Sequence, residues 1–433
     1  MSLGRTAADL LLRLRRDPLL RNSAIYLTAS LAAGFLGYVY HFETGRLLGP
    51  AQYAVVAAAI AGLSLLTLPA IVLQFVSARF TSVLAARGRD DEIRPFLVRV
   101  SGLSLIAALP VAGLVVLAAP TVARSMNLPD QRVIYLLAAA AVLTLLTTVN
   151  RGALQGLGAF FALSGNTVLD MAGRLVLAGA FIALGFGVLG AVAAVLIGPA
   201  IAYVQGIWLL RSRTVRRRVT AGAARVEGLA SYALLASFAG VGVNFLFSID
   251  TLLAKRYLSS SDAGIYAAAS VLARVVFFLG LTVSGVMFPE VAGRHARDED
   301  HLHIVDRSLA LLCGIGALLV AVYLLLPGLV LLPYGSHFIP VKPYLGPFAV
   351  ALTLLAVSNL LISYFLSVAQ GRFIIPLLVA CGLEPLLITL FHANAWQILG
   401  MVLVALAVLC GSLTAMYVVE HLRVRGAPSN ALD

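Results

Sequence analysis

The sequence predicts an all-α polytopic membrane protein of about 12 transmembrane helices, arranged as two six-helix halves. Three observations predict it. The 433-residue chain is 61% hydrophobic and 12% charged, about half the usual charge content of a globular domain, and its mean hydropathy is +0.98. Apolar runs of about 20 residues recur throughout, each long enough to cross a ~30 Å hydrocarbon core. A pattern also repeats: Arg46, Leu48 and Tyr53 of "GRLLGPAQYAVVAAA" return as Arg256, Leu258 and Tyr266 of "KRYLSSSDAGIYAAAS". The runs do not alternate in hydrophobicity as β-barrel strands do, and no segment suits a separate soluble domain.

In chain order, residues 1–21 read as a cytoplasmic amphipathic segment. Leu3, Ala7, Leu10 and Leu14 can share a helical face, with Arg5, Arg13 and Arg16 at the polar boundary, as an interfacial helix requires. The next run is a full span, which argues against a cleaved signal peptide. The first half, 22–210, holds spans at 22–41, 51–75, 98–119, 133–154, 165–185 and 187–210. Ser64, Thr67 and Gln74 share a face of span two, kinked near Pro69. Residues 211–228 open on "RSRTVRRRV" and form a basic cytoplasmic linker. It reads as a topology determinant touching anionic lipid heads, or as a recruiter of substrate. The second half, 229–419, holds spans at 229–252, 263–288, 307–332, 345–369, 374–393 and 397–419, followed by a cytoplasmic tail, 420–433. Ser237, Asn244 and Ser248 share a face of span seven. A second echo pairs "LQGLGAFF" after span four with "AQGRFII" after span ten. Six spans per half let both halves enter from the same side, related by an axis along the membrane normal. Such repeats are typical of secondary transporters.

Orientation follows from the short loops. With the N-terminus in the cytoplasm, cytoplasmic segments and the span ends that adjoin them (Arg99, Arg151 and Arg307) hold 23 cations and outer loops six, leaving Arg174 and Arg274 deeper inside spans. That asymmetry places both termini in the cytoplasm. Of the 31 cations only Lys255 and Lys342 are lysine, which suggests a GC-rich bacterial genome. Cys313, Cys381 and Cys410 fall inside apolar runs, where buried inert thiols are expected rather than a disulfide framework or zinc site.

The segment "RLLGPAQY" after span one, "AGIYAAA" in span eight, "FPE" (Phe288 to Glu290) closing it, "LQGLG" (Leu154 to Gly158) and the arginine of span five are similar to those of bacterial polysaccharide flippases. These belong to the multidrug/oligosaccharidyl-lipid/polysaccharide (MOP) superfamily. The resemblance covers nearly the whole chain. It implies two pseudo-symmetric lobes in a V-shaped, MATE-like arrangement, alternating access, and a cavity lined mainly by spans 1, 2, 7 and 8. It implies a polyprenyl-pyrophosphate-linked glycan carried from the cytoplasmic leaflet outward across a bacterial inner membrane, for polysaccharide export. Membrane lipids, glycan polymerase machinery and a coupling ion, H+ or Na+, are the partners expected; no cofactor, metal or nucleic acid is.

A charged head group needs cations at membrane depth, and charges inside spans are functional candidates by default. Arg274 lies about 16 Å into span eight at 1.5 Å per residue, in a stripe with Tyr266 and Ser270. That stripe is expected to face the cavity and hold substrate. The alternative is an arginine paired with Glu384 or a backbone carbonyl. Asn166, Asp170 and Arg174 repeat every four residues, so Asp170 and Arg174 form a favourable intrahelical pair. The pair is either structural or serves substrate and proton coupling. Gln74 and Asn244 either bind sugar hydroxyls or glue helices together. Asp250, near the outer end of span seven, lies within reach of the outer-loop cations. Glu384, ahead of Pro385 in span eleven, suits a protonation switch. Glu384, Asp170 and Asp250 are thus the coupling candidates. Arg46 and Arg79 fall at opposite cavity mouths if the family pattern carries over, or serve as interfacial anchors.

Other motifs carry little. "GFGVLG" (Gly185 to Gly190) joins two membrane helices with no strand before it, so it is no dinucleotide site. "DEDHLHIVD" (Asp298 to Asp306) reads as a solvated loop rather than a metal site. The chain has no Walker motif. Among rival functions, a cation-coupled drug exporter would favour acidic groups facing cationic cargo. A glycan polymerase or ligase would need a larger outer loop than about a dozen residues, and a scaffold would need no arginine at midplane depth. The expectation is a transporter and not an enzyme.

Overall fold

The computed structural model describes residues 18–211, 229–295, 297 and 299–426. Most of the amphipathic segment, all but the first residue of the basic linker, and the end of the tail lie outside the described residues. Every regular element among the described residues is helical. In order they are α1 (Pro18–Leu66), α2 (Pro69–Ala86), α3 (Asp90–Ser125), α4 (Arg132–Gly156), α5 (Phe160–Ala183), α6 (Gly187–Arg211), α7 (Leu229–Leu246), α8 (Ile249–Tyr257), α9 (Ser260–His295), α10 (Leu302–Leu325), α11 (Pro327–Leu331), a 3-10 turn (Ser336–Val341), α12 (Lys342–Ser367), α13 (Ile374–Leu390) and α14 (Ala395–Gly426).

Local sequence sets the breaks. Gly49 interrupts α1 with φ 71° and ψ 171°, a left-handed φ open to glycine. Pro50, which has no N–H to leave unpaired, begins the following helical segment. The kink foreseen near Pro69 is a full interruption: the helix ends at Leu66 and resumes at Pro69. Ser64 and Gln74 therefore sit on separate helices. Among the described residues, eleven helices are long and apolar enough to cross a membrane, with the 17-residue α13 a shorter apolar helix. Together they cover the twelve expected runs, because α1 carries the first and, beyond Gly49, the start of the second. Ser259 caps α9: its Oγ accepts the Asp262 N–H at 3.1 Å and donates to Asp262 Oδ2 at 2.7 Å, the first as an N-cap serine does.

The chain packs as two compact units. Unit 1 holds, of the described residues, 18–44, 66–124 and 128–211. In it α5 packs on α6, α2 on α4, and α4 on α6. Helix α3 is largely peripheral, and its Leu103, Ile106, Leu114 and Leu117 are exposed, as lipid-facing residues should be. Unit 2 holds Gly45–Leu65, Ser125–Asn127 and the described residues from 229 onward. Its centre is α12, which packs against α9, α10 and α14. In the span built on it 72% of the most apolar window is buried, against 17% for α10. Both copies of the first echo lie in unit 2, and they touch: a Cβ added at Gly264 would collide with the Pro50 carbonyl. Tyr53 and Tyr266, the matched tyrosines, are both fully buried. Tyr53 bonds Tyr334 hydroxyl to hydroxyl at 3.2 Å.

Candidate functional site

In unit 2 the charges gather where α7 gives way to α8. No glycine or proline breaks the chain there; the helix stops at Leu246 and restarts at Ile249. Arg274 of α9 donates from Nη2 to the Phe247 carbonyl at 3.0 Å, and its guanidinium carbon lies 4.3 Å from the Phe247 ring centre. Such a stack is a cation–π contact. Of the two alternatives to a cargo role, the backbone carbonyl is thus its contact, not Glu384. Arg274 is half-buried and its Nε is buried without a hydrogen-bond partner among the described residues. Asp250 acts on it electrostatically without a direct ion pair.

Asp250 stands in the first turn of α8, where the helix dipole favours an anion. It is buried, and its carboxylate accepts from Tyr266 Oη at 3.1 Å and Thr251 Oγ1 at 3.2 Å. This corrects its expected pairing with outer-loop cations: Lys255 instead donates to the Asn127 carbonyl at 3.4 Å and to Ser260 Oγ at 3.2 Å. The Tyr266 stripe is corrected too. Tyr266 and Ser270 are 0% and 2% exposed, and Tyr266 meets Phe348 of α12 edge-on with ring centres 4.8 Å apart. They face the interior of unit 2, where Tyr266 positions Asp250. Glu384, about halfway along α13, is fully buried, and neither carboxylate oxygen has a hydrogen-bond partner among the described residues. Asp250 lies within its electrostatic range.

Unit 1 holds a second cluster, anchored on α5. Asp170, 1% exposed, is gripped by two arginines. Arg174, one turn on, donates from Nε to Oδ1 at 2.8 Å and from Nη2 to Oδ2 at 3.3 Å. Arg151 of α4 donates from Nη2 to Oδ2 at 2.9 Å and from Nε to Asn166 Oδ1 at 2.8 Å. Asn166 passes the network to α6, donating to the Ala202 carbonyl at 2.7 Å and Gln205 Oε1 at 2.9 Å. The cluster fits because Gly198 of α6 lies against it: a Cβ there would meet Arg174 Cγ at 2.5 Å and Asp170 Oδ1 at 2.8 Å. The i,i+4 spacing foretold Arg174. Arg151 was counted among the cytoplasmic charges, and only its place inside an apolar run hinted otherwise.

The remaining candidates are scattered. Gln74 donates to Gln155 Oε1 at 3.0 Å, joining α2 to α4. Asn244 donates to the Gly240 carbonyl of its own helix at 2.9 Å. Arg46 and Arg79 are exposed. Cys313 is exposed and Cys381 and Cys410 half-buried, all free, so burial of all three thiols does not hold; an apolar run faces lipid as well as protein. His303, in the first turn of α10, lies 3.5 Å from Asp300 in the loop before it, and the Leu302 N–H holds the Asp300 carboxyl below the usual aspartate range. No group of three or more metal-ligating side chains occurs among the described residues.

A family profile described as "Polysaccharide biosynthesis protein" matches residues 19–292. No curated protein matches the chain in sequence. Among solved structures, an inward-facing multidrug resistance MATE family transporter of the MOP superfamily aligns with TM-score 0.74 at 16% identity, covering 90% of this chain and 96% of that one. An outward-facing MATE transporter aligns with TM-score 0.63 at 18% identity, covering 96% and 98%. A MOP superfamily transporter from Pyrococcus furiosus, described as having a binding pocket of reversed polarity that suggests a different function, aligns with TM-score 0.61 at 18% identity, covering 94% and 97%. The helical architecture is thus shared with these transporters, and the profile spanning most of the chain shows that it belongs to the polysaccharide biosynthesis protein family.

Proposed function

We propose that this transporter is a flippase for a polyprenyl-pyrophosphate-linked oligosaccharide, moving it outward by alternating access in a bacterial cytoplasmic membrane with both termini on the cytoplasmic side. The observation that carries this reading is Arg274. A permanently charged guanidinium stands inside a span, held by a carbonyl and an aromatic face rather than by an ion pair. An arginine so placed supports an anionic cargo, because its planar fork matches phosphate bidentately and keeps its charge. Tyr266 and Ser270 support it from within unit 2 rather than by touching the sugar.

Coupling falls to Asp250 and Glu384. Two carboxylates at this depth hold a cation, H+ or Na+, more favourably than they tolerate two like charges. A cation-coupled exporter of cationic drugs would draw on the same acidic pair, and the test separates the two readings. Surface glycan is measured in cells lacking their own flippase and supplied with variants, with folded membrane protein quantified alongside. Arg274→Ala is expected to abolish glycan export, and Arg274→Lys, which keeps the charge and loses the fork, to retain part of it. Full rescue by the alanine variant, or drug efflux without glycan rescue by the parent, would overturn the proposal.

A further inference from the structure

The cluster on Asp170 is unbalanced. Two guanidinium groups share one carboxylate, so it carries one surplus positive charge at span depth. A structural ion pair requires only a partner of equal and opposite charge, and Arg174 alone supplies that. The second arginine adds charge where it is expensive, and it is built in rather than adrift: Arg151 is fixed by Asn166, which is itself tied to α6. The Arg151 and Arg174 side chains are 18% and 15% exposed, while Asp170 beneath them is 2% exposed. All the hydrogen bonds described for these arginines use Nε and Nη2, so the Nη1 donors of both point to no acceptor among the described residues. The result is a pair of forks, each with an Nη1 unengaged among the described residues, held by a buried anion and charged overall.

We infer that Arg151 and Arg174 form a second anion clamp, in unit 1, for a phosphate group carried on a lipid. The inference rests on the flippase reading for the source of that phosphate: the pyrophosphate of the polyprenyl carrier. The same chemistry would accept the phosphodiester of a bilayer headgroup, and the experiment separates the two. Arg151 then has a role distinct from Arg274. It lies five residues from the end of α4, on the side where the expected topology puts the cytoplasm, and so meets the head group early in its passage.

The test is binding of sugar-free polyprenyl pyrophosphate to the purified full chain in nanodiscs of neutral lipid, competed with phosphatidylglycerol. The variants are Arg151→Gln, Arg151→Lys and Arg274→Ala. Arg151→Gln leaves a balanced Arg174–Asp170 pair and is expected to stay folded, confirmed by its elution and melting profile. Each charge-assisted hydrogen bond lost weakens binding by about tenfold or more, so Arg151→Gln should bind at least about tenfold more weakly. Arg151→Lys, which keeps the charge and loses the fork, should fall between. Arg151→Lys also carries the test if Arg151→Gln fails to fold. Binding to both Arg151 variants as tight as to the parent would overturn the clamp while leaving the flippase reading intact. Equal competition by phosphatidylglycerol would overturn the assignment to the polyprenyl carrier. No binding to the parent or to any variant would defeat the flippase reading itself.

Discussion

Replacing Asp170 with asparagine keeps its shape and removes its charge. Three hydrogen bonds to ionised donors, at 2.8, 2.9 and 3.3 Å, lose their anionic acceptor. The cluster passes from one net positive charge to two, with both arginines more than four-fifths buried. Removing one partner of a buried pair costs about 3–5 kcal/mol, and the residual exposure of the arginines favours the lower end. A loss of about 3 kcal/mol is roughly a hundredfold in the folded ratio, a large share of the ~5–15 kcal/mol that holds a typical domain together. The assay is the yield of monodisperse protein after solubilisation, and its melting temperature, for Asp170→Asn beside Arg151→Gln. The asparagine variant should be the less stable of the two, because Arg151→Gln leaves one cation facing one anion. Exchanging the pair, Asp170→Arg with Arg174→Asp, should not restore stability, because Arg151 would then face the introduced arginine. Parental stability in Asp170→Asn, or recovery in the exchanged pair, would refute the charge accounting.

Glu384→Gln should insert and fold, since neither carboxylate oxygen makes a hydrogen bond that the amide would break; uphill transport driven by an imposed proton or sodium gradient should be lost while binding of polyprenyl pyrophosphate persists. Retained gradient-driven transport would remove Glu384 from coupling. In the loop before α10, the Asp300 carboxyl is held below its usual range, first by the Leu302 N–H. Its contribution is present above the free-aspartate value of ~3.9 and fades as pH falls through the lower folded value. Amide protection at Leu302, taken relative to the intrinsic exchange rate at each pH, should therefore weaken on acidification, and an unchanged protection factor there would exclude the contact.

How far the fold was legible follows from what hydropathy measures. It locates segments that leave water, so the apolar runs appeared at nearly their observed places. It cannot tell lipid from protein, which is why Cys313 emerged exposed and why Tyr266 and Ser270, correctly placed on one face, turned inward instead of toward a cavity. Four-residue spacing found Asp170 with Arg174 because both lie on one helix. It was blind to Arg151, which reaches the same carboxylate from α4 across the turn at 157–159. The interruption at Phe247 and Ser248 bears no glycine or proline; only Ser248 and Asp250, residue types at home at a helix start, hint at it.

The central claim is outward movement of a lipid-linked pyrophosphate glycan, dependent on Arg274. Its most direct measurement uses proteoliposomes loaded in one leaflet with polyprenyl-pyrophosphate-linked oligosaccharide, the sugar reaching the other leaflet being captured by an impermeant lectin. The parent protein should raise the rate well above that of empty vesicles, Arg274→Lys should retain part of the increase, and Arg274→Ala, reconstituted at equal level, should match empty vesicles. Equal rates for the parent and the alanine variant, or no movement above the protein-free rate, would contradict the account.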